Sequence, residues 1–290
     1  MEFIETLING LSIGSTYSVI ALGYTMVYGI AKMLNFAHGD VIMVGGYMIY
    51  LTMAGKGIPI LGLAVAVLFC VVLGVSIEKV AYKPLRGASP LAVLITAIGV
   101  SYLLQSTAQI IFGSAPKMVI VADLGNLTIG SLTVPYYMLI TLGCSVVIML
   151  TLSLFVKYTK TGRAMIAVSE DKGAAQLMGI NVNAIITITF AIGSGLAAFA
   201  GFFMLMKSPS LSNTLGAMPG IKAFTAAVIG GIGSIPGAMV GGILMGIVEA
   251  LSLTVPAIAP YTDAIEFLVL IVILLVRPSG ILGKVRREKV

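Results

Sequence analysis

The sequence predicts an all-α polytopic membrane protein with about nine transmembrane helices, within a range of eight to ten. Three observations carry this. Apolar residues make up 59% of the chain and charged residues only 10%, with a mean hydropathy of +1.10, whereas a soluble domain carries about 25% charged residues. Several stretches have no charge at all, namely 6–31, 57–77, 87–116, 125–156 and 182–206, and about 20 apolar residues suffice to cross some 30 Å of hydrocarbon. Most of the basic residues are gathered in three short segments outside such stretches. The whole chain, 1–290, reads as a single transmembrane domain with no soluble domain attached.

Taken in order, the first span is read at 6–31. The residues before it, Met-Glu-Phe-Ile-Glu, are acidic where a signal peptide is basic, so a span is expected here and not a cleaved leader. Spans at 41–54 and 58–77 follow, then 91–112 and 133–156. After a polar segment come 182–206, 223–235, 238–255 and 263–276. Short or broken helices are expected near 41–54 and 223–237. Cys70 and Cys144 fall in apolar runs and read as small packing residues, not as a disulfide or metal pair.

The basic segments set the orientation. They are Lys79, Lys83 and Arg86; Lys157, Lys160, Arg163 and Lys172; and Arg277, Lys284, Arg286, Arg287 and Lys289. The positive-inside rule makes all three cytoplasmic. Even numbers of spans separate them and an odd number precedes the first, so the N-terminus is expected outside and the C-terminus in the cytoplasm. The net charge of +6 then follows from topology, and no nucleic-acid partner is expected.

The one long polar interruption is GRAMIAVSEDKGAAQLMGIN, residues 162–181. Ala164, Ala167, Val168, Ala174, Ala175 and Met178 recur in it at helical spacing, beside Arg163, Glu170, Asp171 and Lys172. A short helix with such a stripe, held between two spans, has no core of its own to bury it. The stripe is expected to seat in a groove on another protein.

Four motifs connect the chain to a family. MLNFAHGDVIMVGGY (33–47), the loop 162–181, KAFTAAVIGGIGSIPGAMVGGILMG (222–246) and RPSGILG (277–283) together closely resemble branched-chain amino acid ABC transporter permeases of the LivH type. The resemblance runs over nearly the whole chain. It implies an importer of the bacterial inner membrane: this permease with a second, homologous permease (a homodimer being the alternative), two cytoplasmic ATPases that bind the ATP and Mg²⁺, and an extracytoplasmic protein that delivers leucine, isoleucine or valine. Ala174, Ala175 and Gly179 match the Glu-Ala-Ala-x-x-x-Gly coupling pattern of ABC importer permeases, although Gly173 stands where the acid belongs and Glu170 and Asp171 come a turn earlier. ATPase coupling is therefore expected at Gly162, Arg163, Glu170, Asp171, Ala174, Ala175 and Gly179.

Other residues allow two readings. Asn35, His38 and Asp40 could line a gate or pathway, but near a membrane boundary the expectation is a helix cap by Asn35 or Asp40. Gly230, Gly231 and Gly233, with Pro236 and Gly237, cannot continue an unbroken helix; they form either a broken helix at the solute path or a tight turn before a packing helix. In that helix Gly237 with Gly241, and Gly242 with Gly246, are spaced for close helix approach. Glu249 stands inside a span with no evident basic partner, and a hydrogen-bonded structural glutamate is expected over proton coupling.

No enzyme is expected. His38 is the sole histidine, so no histidine-pair metal site exists; the chain has no Gly-x-x-x-x-Gly-Lys-Ser/Thr phosphate loop, and no nucleophile elbow is expected, since the Gly-x-Ser-x-Gly spelling at residues 10–14 falls within the first span. Three functions remain: the branched-chain amino acid importer, the same kind of permease for urea, amides or other amino acids, and a self-sufficient secondary transporter or channel. A docking helix at 162–181 separates the third from the first two.

Overall fold

In the computed structural model residues 2–53, 58–122, 125–129 and 132–283 are described. Lys284, Arg286, Arg287 and Lys289 of the third basic segment lie outside the described residues. The helices are α1 (Glu2–Ala31), α2 (His38–Met53), α3 (Pro59–Ile77), α4 (Pro90–Phe112), α5 (Tyr136–Tyr158), α6 (Lys160–Glu170), α7 (Lys172–Leu177), α8 (Val182–Lys207), α9 (Ala217–Gly230), α10 (Ile235–Thr254) and α11 (Thr262–Val276). A π turn, Glu78–Tyr82, and a 3-10 turn, Lys83–Leu85, prolong α3. Among the described residues the exceptions to an all-helical chain are four short strands: β1 (Lys117–Met118), β2 (Asn126–Ile129), β3 (Leu132–Pro135) and β4 (Ser210–Leu211), joined as antiparallel pairs β1–β4 and β2–β3.

Among the described residues six helices are long and apolar enough to cross a membrane: extended α3, α4, α5, α8, α10, and α11 counted from Ala259. The protein is thus a polytopic, mostly helical membrane protein. The helices outside that set have physical reasons to be. Those at α2 and α9 have 16 and 14 residues, about 24 and 21 Å at 1.5 Å per residue, and are the short pieces expected near 41–54 and 223–237. The 30-residue α1 is long but dilutes its apolar residues with buried Ser12, Ser15, Thr16, Ser18 and Thr25. A helix surrounded by protein need not be as apolar as one surrounded by lipid. Ser15 and Ser18 return their hydroxyls to the carbonyls of Leu11 and Gly14, at 2.6 and 2.8 Å, which satisfies both within the helix. Conversely α3, α4, α5 and α11 expose Leu68, Val72, Leu103, Ile110, Val147 and Leu275, faces suited to hydrocarbon.

The glycines of α10 divide between two neighbours. A Cβ on Gly237 or Gly241 would meet the backbone of Gly230 or Ala226 on α9. One on Gly242 or Gly246 would run into Ser18 or Gly14 on α1. From the other side, a Cβ on Gly14 would stand 2.7 Å from the Ile243 Cα. Backbone therefore lies on backbone along both seams, and Ser18 Oγ donates across one of them to the Met239 carbonyl at 2.8 Å.

The bundle has two ends. At one, Thr6 meets Thr254 at 3.3 Å, the Thr133 amide donates to Glu5 at 3.2 Å, Asn213 reaches Gln109 at 3.5 Å, and β1 pairs with β4. At the other, Arg86 binds Asn183, Lys172 reaches the end of α1, and the Ile281 amide donates to the Ile229 carbonyl at 2.8 Å. Arg86, Lys172 and Arg277 are thereby collected at one end.

Candidate functional site

At the basic end, Thr159 starts α6 by accepting the Gly162 amide at 2.9 Å. Gly162 sits in the corner with α5, where a Cβ would collide with the backbone of Phe155 and Val156. The polar segment is two helices, where the sequence predicts one. Asp171 breaks it by taking extended backbone (φ −150°, ψ 114°), and its carboxylate then caps α7 through the Ala174 amide at 2.9 Å. Gly179, at φ +81°, closes α7 in a Schellman turn, with Ile180 N to Ala175 O and Gly179 N to Gln176 O, both 3.0 Å.

The expected outward stripe is also corrected. Met165, Val168 and Ala175 are buried in this chain, and Ala164 and Ala167 pack against its core. The stripe finds its partner in the chain's own spans, chiefly α1, α5 and α8. What stays open is the end of α7: Leu177 is 91% and Met178 82% exposed, while Ala175 is 4% exposed. Arg163, Glu170, Asp171 and Ala174 are exposed around them. Lys172 ties α7 to the spans by donating to the Ala31 carbonyl at the end of α1, at 2.8 Å. Burial, and then the neighbouring Arg86 charge, hold its pKa below the usual lysine range.

Asn35, His38 and Asp40 do not cap α2 with their side chains. Asn35 Oδ1 accepts the Tyr82 hydroxyl at 2.8 Å. Asp40 accepts from Ser101 and, at 2.9 Å, from Gln105, clipping α4 onto α2. His38 lies buried edge-on to Tyr24, ring centroids 4.8 Å apart, beneath Gly23, whose missing Cβ leaves room for the imidazole.

The glycine run forms the corner between α9 and α10. Gly231 and Gly233 take φ of +104° and +94°, which glycine adopts without strain, and Ser234 caps α10 through the Gly237 amide at 3.2 Å. Gly230 is the last residue of α9. The RPSGILG motif returns to this corner: Leu282 N donates to Gly230 O at 3.0 Å, and Gly280 presses on Gly231.

Glu249 is not alone. The Tyr17 hydroxyl donates to it at 2.5 Å, and the Lys222 ammonium lies 3.4 Å away. Lys222 also lies 2.8 Å from Asp263 and 3.2 Å from Glu266. One lysine on α9 thus gathers carboxylates from α10 and α11, as buried charge in a membrane requires. Tyr17, Lys222 and Glu249 also line a cavity of about 310 Å³ between α1, α8, α9 and α10. Sequence reasoning misses Lys222 because it starts that span at residue 223, whereas α9 starts at Ala217 and carries Lys222 inside.

A buried charge network in a bundle of apolar helices, with a capped helix pair at one end, is the architecture of a polytopic membrane protein with a polar interior, as a permease requires. Comparisons agree. Residues 6–274 match the family described as branched-chain amino acid transport system / permease component. The high-affinity branched-chain amino acid transport system permease protein BraD of Pseudomonas aeruginosa is 43% identical over 303 residues, covering 100% of this chain and 98% of that protein. LivH of Escherichia coli, a permease protein of the same description, is 41% identical over 304 residues with the same coverage. A solved structure, PsaBC from Streptococcus pneumoniae in complex with Fab, shares the fold at TM-score 0.50 and 15% identity, covering 95% of this chain and 91% of that one. The chain belongs to the branched-chain amino acid transport permease family.

Proposed function

We propose that this chain is a membrane subunit of an ATP-driven importer for leucine, isoleucine and valine, in the cytoplasmic membrane of a bacterium. The observation that carries this is likeness over the full chain to permease proteins named for branched-chain amino acid transport. The chain forms the translocation path with a second, homologous permease. Two cytoplasmic ATPases bind ATP and Mg²⁺, and an extracytoplasmic protein delivers the amino acid. The nine spans run with the N-terminus outside and the C-terminus in the cytoplasm. Collection of Arg86, Lys172 and Arg277 at one end supports that orientation.

Docking of an ATPase falls on the end of α7, where Leu177 and Met178 stand uncovered beside Ala174 and Gly179. Closure of the ATPases on ATP pushes α7, and the Lys172–Ala31 contact passes that displacement to α1. The permeases then rock about their shared interface, and the path opens to one side and then the other. The test is uptake: the full complex in proteoliposomes, with loaded binding protein outside and ATP inside, accumulates radiolabelled leucine, isoleucine and valine. Accumulation of urea or an amide with none of the three would reassign the substrate. Uptake without ATPases would make the protein a secondary transporter.

A further inference from the structure

The charged cavity has a composition the importer reading does not require. Its walls include Ile13 on α1, Phe203 and Met204 on α8, Leu215 in the following loop and Met218 on α9. Among these apolar side chains stand Lys207, Lys222 and Glu249. The cavity lies where α8 ends, at the end of the bundle opposite α7. Since α8 has 26 residues, that is about 39 Å from its start beside the coupling helices.

The three charges differ in what they already bind. Lys222 is engaged with three carboxylates, at 2.8, 3.2 and 3.4 Å. Glu249 holds Tyr17 and shares Lys222, yet still lines the cavity. Lys207 is exposed at the rim, within electrostatic range of Glu249 and Lys222, and makes no ion pair or hydrogen bond among the described residues. Formally, Lys222 faces three carboxylates while Lys207 pairs with none among the described residues, so positive charge is short on the Glu249 side and Lys207 is left without an anion.

We propose that this cavity is the transit site of the permease for a zwitterionic α-amino acid with an aliphatic side chain. The solute's carboxylate faces Lys207, its ammonium faces Glu249, and its side chain lies on Ile13, Phe203, Met204, Leu215 and Met218. A neutral sugar or amide leaves Lys207 without an anion and Glu249 with only its share of Lys222, and a purely anionic or cationic solute meets one like charge. The volume of about 310 Å³ is roughly ten water volumes at about 30 Å³ each, room for leucine with a few waters. Such a half-wet site holds its solute weakly, as passage demands. This assignment rests on the importer reading and adds the residues that receive the substrate.

The test uses the full complex in proteoliposomes, with leucine and valine uptake measured beside ATP hydrolysis stimulated by the loaded binding protein. Lys207→Gln is expected to slow uptake of both about tenfold, the loss of one charge-assisted contact, and Lys207→Arg to retain most of it. ATP hydrolysis should fall less than uptake, since α7 is untouched. Met218→Trp, at a side chain 43% exposed and so free to grow, is expected to slow leucine more than valine by narrowing the cavity. A purely structural role would not change that ratio. If Lys207→Gln does not accumulate in the membrane, Met218→Trp decides alone. Unchanged leucine and valine rates in Met218→Trp, or in Lys207→Gln when it is present, overturn the assignment while leaving the importer intact. A wild-type complex that moves no branched-chain amino acid fails the importer reading, and the assignment falls with it.

Discussion

The Tyr17 hydroxyl and the Glu249 carboxylate meet at 2.5 Å, joining α1 to α10 across 232 residues of chain. Glu249 is thus held by one neutral donor and, at 3.4 Å, by the Lys222 ammonium. The two ties are unequal. Tyr17→Phe removes one hydrogen bond to a charged group and is expected to lower stability by about 1.5–3 kcal/mol. Lys222→Met strips the counter-charge from Glu249 and Glu266 together and should cost about 3–5 kcal/mol. Thermal unfolding of the purified protein in detergent measures both. Equal losses would mean that Lys222 does not compensate the buried carboxylates.

The glycine seams give a second contrast. Gly246→Val puts a branched side chain into the backbone of Gly14 and Gly10, and overpacking of about 1–3 kcal/mol or more is expected, with loss of membrane-inserted protein. Gly99, on α4, has nothing within reach of a Cβ. Gly99→Ala should therefore be neutral or stabilising by up to about 1 kcal/mol. Expression and melting temperature of the two variants are the check, and a tolerated Gly246→Val would refute the seam.

On α7 the two faces should respond differently. Ala175→Arg forces a long cation into a buried position and is expected to deplete the protein from the membrane. Leu177→Asp changes a side chain that is almost wholly in solvent; protein level and melting temperature should stay within about 0.5 kcal/mol of wild type. What it should lose is co-purification of the ATPases, and uptake with it. Normal ATPase recovery with Leu177→Asp would move the docking surface elsewhere.

The sequence makes plain those helices that face lipid, because hydrocarbon demands an unbroken apolar run; α3, α4 and α5 announce themselves in that way. It is less explicit where helices face each other. Lys222 can sit within α9 only because Glu249, Asp263 and Glu266 arrive from two other helices, and no local pattern records that meeting. The division of 162–181 at Asp171 is hidden for a related reason. Apolar spacing continues through the break, since α6 and α7 both pack on α8, and an aspartate reads equally well as surface or as cap. The two glycine spacings in α10 are visible in sequence, but not that they serve different neighbours.

The seam between α1 and α10 constrains how the protein can move. Where helices touch through side chains, rotamer changes let one slide on the other; where backbone lies on backbone, as at Gly14 with Ile243 and Gly246 with Gly10, nothing is available to reorganise. These two helices, with the hydroxyl–carboxylate bond between them, travel as one beam. The displacement that α7 hands to α1 through Lys172 and Ala31 must therefore carry α10 with it, so that the two helices turn as a single body.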